Sequence, residues 1–190
     1  ESDIEYPKSE PYKLCTFSRV MKEKGIEDAI NAVESVNAHF GRTVYTLDIF
    51  GQVDVEYKER FSQLEKSFPD YISYGGAIEA NKSVETLKSY FALLFPTYYK
   101  GEGFAGTLID AISAGVPVIA SDWKYNPEFV VHGKTGVIIK NCNAERLAEE
   151  LINIAAAPEK WNSMRLSALK ESEKYKPDIA ARPLIDRING

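Results

Sequence analysis

A chain of 190 residues is long enough for one substantial core and too short for two generous domains. Its 28 acidic residues exceed its 23 basic ones, for a net charge of -5, which argues against nucleic acid as a partner, because binding by counterion release needs a basic face. Two cysteines, Cys15 and Cys142, are too few for a disulfide framework, and with no apolar run of roughly 18 residues and no signal-peptide pattern in ESDIEYPKSEP the expectation is a cytoplasmic protein with two buried thiols.

The first 11 residues, with two prolines and several charges, read as an extended lead-in. YKLCTFS at 12–18 is a strand, and 26–40 carries Ile26, Ala29, Ile30, Val33, Val36 and Phe40 at helical spacing before Gly41. TVYTLDIF at 43–50 is a second strand closed by Gly51, after which Tyr57, Phe61, Leu64 and Phe68 stripe a helix over 55–68. DYISY at 70–74 leads through Gly75 and Gly76 to a short helix over 82–89. FALLF at 91–95 is continuously apolar, as a strand covered on both faces would be. A helix over 106–114, strands at 116–120 and 136–140 and a helix over 144–157 complete the alternation. Pro158 then opens a helix with Trp161, Met164 and Ala168, and Lys176-Pro177 begins a last segment broken again at Pro183.

Six strands alternating with helices predict a doubly wound, mostly parallel α/β sheet of Rossmann-like type over 12–157, with a helical extension over 158–190. Ligands of such domains bind at the carboxyl ends of the strands. The loop after the first strand, RVMKEKG, brings Arg19 and Lys24 to that edge, a fork and a point charge suited to a diphosphate. The same KEK cluster is also what an ordinary solvated turn looks like. The loop after FALLFP, TYYKGEGFAGT, emerges at the same edge and runs straight into a helix. Gly101, Gly103 and Gly106 let backbone approach a ligand, and the amides of the new helix offer donors to an anion. Glu102 lies in this loop and Asp110 one turn into the helix, so the two carboxylates could reach opposite ends of one bound molecule. Alternatively, Thr107 and Asp110 form a capping box and do nothing else.

These residues resemble a known pattern. SRVMKEKG resembles the R-x4-K phosphate loop, and EGFAGTLIDAISAGVPVIASD the E-x7-E motif, of retaining family 4 glycosyltransferases, the group 1 enzymes with a two-domain B-type fold. The likeness continues through NPEFVVHGKTGVII and covers roughly 12–157. It implies a donor-binding, carboxy-terminal half whose amino-terminal, acceptor-binding half is absent, in keeping with a chain that begins at Glu1 rather than methionine. It implies a nucleotide-sugar co-substrate, UDP- or GDP-linked, with no metal or other cofactor, and a glycan or lipid-linked acceptor in bacterial polysaccharide or glycolipid synthesis. The full-length protein would work in the cytoplasm, or at the inner face of the membrane.

By the same resemblance, Arg19 and Lys24 hold the diphosphate and stabilise the leaving group, Asp110 binds ribose hydroxyls and Glu102 contacts the transferred sugar. Backbone around Gly106 and Thr107 completes the phosphate cradle, Gly103, Phe104 and Ala105 lie near the sugar, and Ala77 and Ile78 lie near the base. Two departures stand out: Asp110 replaces the usual glutamate, and Lys124, Tyr125 and Asn126 stand where a glycine pair is usual. Three other readings fit the same fold: a non-catalytic nucleotide-sugar-binding module or partner subunit, a sugar-nucleotide epimerase, and a phosphorylase. Acid and base groups facing the sugar, or a lysine for pyridoxal phosphate, would mark the last two, and neither is visible. His39 and His132 are poor catalytic candidates, one ending a helix and one preceding a turn.

Overall fold

Six parallel strands form one sheet in the order β3-β2-β1-β4-β5-β6 in the computed structural model, which describes residues 9 to 180 and Arg187. The strands are β1 (Tyr12–Phe17), β2 (Tyr45–Phe50), β3 (Ile72–Gly76), β4 (Ala92–Phe95), β5 (Val118–Ser121) and β6 (Gly136–Ile139). Residues 1–8 of the expected lead-in, and the stretch around Pro183, lie outside the described residues. Between the strands run α1 (Ile26–Phe40), α2 (Lys58–Glu65), α3 (Ser83–Leu87), α4 (Gly106–Ser113) and α5 (Asn126–Phe129), followed by α6 (Ala144–Ala156), α7 (Pro158–Ser172) and α8 (Pro177–Ala180). The doubly wound α/β expectation holds, with every strand pair parallel.

Alternation along the strands sends neighbouring side chains to two separate cores. Leu14 joins one with Ile26, Val33, Leu147 and Leu151 of α1 and α6, while the adjacent Cys15 joins the other with Leu108 and Ala111 of α4. Ile119 and its neighbours Val118 and Ala120 divide the same way. Central strands buried on both faces carry no polar stripe, which is why FALLF and VPVIA read as unbroken apolar runs. Helix α1 ends at Gly41 in the left-handed region (φ 64°), and Asn37 ties that end to β2, donating to the Tyr45 carbonyl and accepting from the amides of Val44 and Tyr45.

Several elements differ from the expected spans for local reasons. The helix over 55–68 begins as a single 3-10 turn, Val55–Tyr57, because Asp54 caps it by accepting from the Glu56 amide. Strand β3 starts at Ile72, where pairing with Leu47 begins, and extends through Gly75 and Gly76. The proline-glutamate turn is the four-residue helix α5, with Pro127 in its first turn. Helix α7 belongs to the core: Trp161, Met164 and Ala168 are buried.

Strand order reverses around β1, whose neighbours are β2 and β4 although β4 is far later in the chain. Loops after β1 and β4 therefore diverge to opposite faces and leave a crevice at their carboxyl ends, the place where open α/β sheets bind ligands.

Candidate nucleotide-sugar site

Two glycines hold the loop after β1 in place. Gly25 has φ 72°, and a Cβ there would stand 2.3 Å from the carbonyl oxygen of Pro96 at the end of β4. Gly51 has φ 139°, and its Cβ would stand 1.7 Å from the Ser18 carbonyl oxygen. Both positions require the absence of a side chain, so the loop carrying Arg19 and Lys24 is pressed between β2 and β4. The Tyr98 amide donates to the Glu23 carbonyl at 2.8 Å and joins the two crevice loops directly.

A cavity of about 280 Å³ opens where these loops meet, lined among others by Arg19, Lys24, Glu102, Phe104, Gly106 and Thr107. Ala105 also lines it. The structure thus gathers both cations, the loop carboxylate and the start of α4 around one space, from segments about 80 residues apart in the chain. Lys24 is not a solvated turn residue. Its Nζ lies 2.6 Å from Glu102 Oε2, 5.6 Å from the Phe95 ring centre and 5.2 Å from that of Tyr99. The side chains of Lys24 and Glu102 are only 12 % and 8 % exposed. Arg19, by contrast, is 61 % exposed, with Nη1 3.6 Å from Asp54 Oδ2, so its fork is available to an incoming anion.

Helix α4 begins at Gly106 after Ala105, with no side chain capping its first amides. Thr107 is inside the helix rather than at its N-cap, and the alternative of a capping box with Asp110 is not formed. Asp110 instead accepts from the Ser83 hydroxyl at 2.6 Å, which fastens α3 to α4. Neither Asp110 nor Ile78 is among the residues around the cavity; Ile78 packs against the core cluster that contains Leu108 of α4. Ala77 and Gly103 are exposed in the loops after β3 and β4. Lys124 adopts φ 50° beside α5, and Tyr125 is half exposed there. Trp123 Nε1 donates to the Tyr99 carbonyl at 2.7 Å, so this third loop is anchored to the second.

Sequence reasoning missed four partners: Thr97 on Glu102, Ser83 on Asp110, the Phe95–Tyr99 cage around Lys24, and Asp54 beside Arg19. Thr97 alone had a readable signal, a polar residue two positions beyond the buried strand β4, after Pro96. A second cavity of about 240 Å³, lined by His132, Trp161 and Met164 among others, lies at the opposite end of β6. His132 Nδ1 accepts from the Ile138 amide, a structural use of the ring. Burial pushes the Cys142 thiol up to about 12, with the Asp28 charge adding to it, and burial also raises the Cys15 thiol well above its ordinary value. Neither thiol has the character of a nucleophile. Among the described residues no helix is long and apolar enough to cross a membrane, and no three His, Cys, Asp or Glu side chains converge as metal ligands.

Comparison with known proteins places this geometry. Residues 1–171 match the family model described as "Glycosyl transferases group 1". The GtfA subunit of a UDP-N-acetylglucosamine--peptide N-acetylglucosaminyltransferase from Streptococcus gordonii is 33% identical over 139 residues, 72% of this chain and 26% of that protein. A poly(glycerol-phosphate) alpha-glucosyltransferase from Bacillus subtilis is 26% identical over 88% of this chain and 24% of its own length. Among solved structures, the carboxy-terminal domain of a group 1 family protein, LpcC, from Francisella tularensis superimposes with a TM-score of 0.73, 19% identity and 87% coverage of both chains. Anabaena Alr3699/HepE, in complex with UDP and glucose, gives a TM-score of 0.81 at 15% identity over 94% of this chain and 48% of that one. The chain spans about a quarter of the two curated relatives named above. With this sheet, this crevice and a family match along nearly its whole length, the chain belongs to the group 1 glycosyl transferases.

Proposed function

We propose that the chain binds a nucleoside-diphosphate sugar and, together with an acceptor-binding half, transfers the sugar with retention of configuration to a glycan or lipid-linked acceptor. The observation that supports this reading best is the convergence of Arg19, Lys24 and the uncapped start of α4 on one cavity beside the Glu102 carboxylate. The diphosphate would lie between the Arg19 fork and the Gly106 and Thr107 amides, and the sugar beside Glu102. At about 280 Å³ the cavity suits the diphosphate and part of the sugar, so the nucleoside would extend towards Asp110 and Ile78. Asp110 would then offer ribose hydroxyls a carboxylate already oriented by Ser83.

In this mechanism, the bond between the anomeric carbon and the diphosphate oxygen breaks as the acceptor hydroxyl oxygen bonds to that carbon from the same face, its proton passing to the departing diphosphate oxygen. Arg19, Lys24 and the helix amides stabilise the charge that develops on the leaving diphosphate, an electrostatic role that needs no proton from the protein. The setting proposed is bacterial polysaccharide or glycolipid synthesis in the cytoplasm, while the relatives' names give a peptide and a poly(glycerol phosphate) as their acceptors. A second reading, a donor-binding partner subunit, is favoured by the S. gordonii relative being a subunit and by a structural neighbour solved as a GtfA/B complex, at a TM-score of 0.77.

A thermal-shift panel of UDP, GDP and ADP tests the reading, since a ligand that binds only the folded state raises its melting temperature by mass action. One nucleoside diphosphate is expected to stabilise the chain selectively. Arg19→Ala is expected to weaken that nucleotide at least tenfold in a calorimetric titration, because a charge-assisted hydrogen bond contributes about 1.5–3 kcal/mol. Unchanged affinity would remove Arg19 from the site, and no stabilisation by any of the three would end the proposal.

A further inference from the structure

The Glu102 carboxylate is held by one oxygen. Lys24 Nζ at 2.6 Å and the Thr97 hydroxyl at 2.7 Å both meet Oε2, while Oε1 receives no hydrogen bond from the described residues although Glu102 lines the cavity. Thr97 is fully buried at the carboxyl end of β4. Its hydroxyl has one proton and two acceptors in reach, Glu102 and, at 3.3 Å, the Glu23 carbonyl. The shorter contact, to an ionised acceptor, takes the proton. The same hydroxyl oxygen accepts from the Tyr99 amide, which fixes its rotation. Behind it, the Thr97 carbonyl accepts from the Ser121 hydroxyl at 2.5 Å, and Asn126 donates to the Ser121 carbonyl at 3.1 Å. Both of these residues are buried, at 5 % and 1 % exposure.

Resting on the donor-binding reading above, we infer that Thr97 is a positioning residue for the sugar: it retains Oε2 of Glu102 when a diphosphate draws Lys24 away, and so keeps Oε1 turned to the sugar hydroxyls. An entering diphosphate competes with Glu102 for the Lys24 ammonium, because both are anions and the cation is nearly enclosed. It does not compete for Thr97, a neutral donor buried behind the carboxylate. Glu102 sits between Gly101 and Gly103, so its own backbone offers little resistance once the lysine turns. The hydroxyl is therefore the anchor that survives donor entry. The network through Ser121 and Asn126 extends this anchoring to the loop that bears Lys124 and Tyr125.

Thr97→Val keeps the volume and removes the donor, leaving Arg19 and the α4 amides as they are. Calorimetric titrations of the whole chain would use UDP, GDP, UDP-glucose, UDP-N-acetylglucosamine and GDP-mannose. The expected result is that Thr97→Val binds the preferred nucleoside diphosphate within twofold of the unsubstituted chain. Its affinity for the preferred nucleotide sugar should fall at least fivefold, and Thr97→Ser should restore both. A parallel loss of nucleotide and nucleotide sugar would make Thr97 a general structural residue and overturn the inference. Retention of both, failure of Thr97→Ser to restore, or an unsubstituted chain that gains nothing from the sugar would do the same. If Thr97→Val does not fold, Thr97→Cys, with a far weaker donor, takes the same titrations. A chain that binds none of the five ligands overturns the donor-binding function itself, and the inference with it, which separates the two failures.

Discussion

Lys24 and Glu102 each lose most of their contact with water, and in the unliganded chain each charge offsets part of the other's desolvation. A 2.6 Å contact between side chains 12 % and 8 % exposed is a desolvated ion pair, and the Thr97 hydroxyl and two aromatic rings offset part of the desolvation. Removing one partner leaves an uncompensated charge, which in buried pairs costs about 3–5 kcal/mol. Some exposure remains, so Lys24→Met is expected to cost about 2–3 kcal/mol in urea denaturation. In a Glu102→Gln background the same substitution should cost less than about 1 kcal/mol, since no stranded carboxylate remains. A coupling energy near zero in that double-mutant cycle would show that water screens the pair as it does on open surfaces.

Between elements, the Glu27 carboxylate in the first turn of α1 is the link to the segment around α2. It accepts from the Tyr57 hydroxyl at 2.9 Å and from Arg60 at 2.5 Å and 3.3 Å. The Arg60 hydrogen bond holds the Glu27 carboxyl below the ordinary glutamate range, with help from Tyr57 and the nearby cations and against a smaller effect of burial. A carboxylate depressed on folding contributes stability above its unfolded pKa of about 4.3 and loses it as pH falls through the lower folded value. Neighbouring Asp28 acts in the opposite sense, since burial pushes its carboxyl up and its cost is relieved by acid. Glu27→Gln is therefore expected to cost about 1 kcal/mol or less at pH 7, for a pair that is still partly exposed, and the difference should shrink as pH falls below about 4.3. A difference that stays constant from pH 7 to pH 3 would assign the effect to packing instead. Periodicity reads such elements well where one face is buried: Ile26 to Phe40 marks α1 from end to end, and the apolar runs mark β4 and β5. It fails where an element is too short to show a period, as in α5, or where pairing rather than composition sets the ends, as in β3. The crevice loops could be placed at the strand ends from the alternation alone. Which of their side chains touch could not, because Lys24 and Glu102 stand 78 positions apart and Ser83 and Asp110 stand 27 apart, and spacing along the chain carries no distance across a sheet.

At the scale of the whole molecule, the site depends on a sheet that is secured from its other end. Trp161 of α7 is 2 % exposed, donates from Nε1 to the Phe91 carbonyl at 3.0 Å and packs its ring 6.0 Å from that of Phe91. Arg165, one turn on, donates to the Tyr90 carbonyl at 2.8 Å. Helix α7 thus grips the chain just before β4, while the far end of β4 delivers Thr97 and Glu102 to the crevice. Trp161→Ala would leave a large cavity and reduce the Phe91 carbonyl to its longer, 3.4 Å contact with Arg165 Nη1, a loss of about 3–5 kcal/mol from a domain whose whole stability is of order 5–15 kcal/mol. Trp161→Phe should lose less, keeping most of the volume and forfeiting the hydrogen bond. Because β4 is held on both sides by β1 and β5, the crevice should keep its shape for as long as the sheet stays folded. The expected outcome for Trp161→Ala is a large fall in the denaturation midpoint with nucleoside-diphosphate affinity, titrated at low temperature on the folded protein, within twofold of the unsubstituted chain. If affinity falls in step with stability, α7 is coupled to the crevice through β4, and the two ends of the sheet do not act independently.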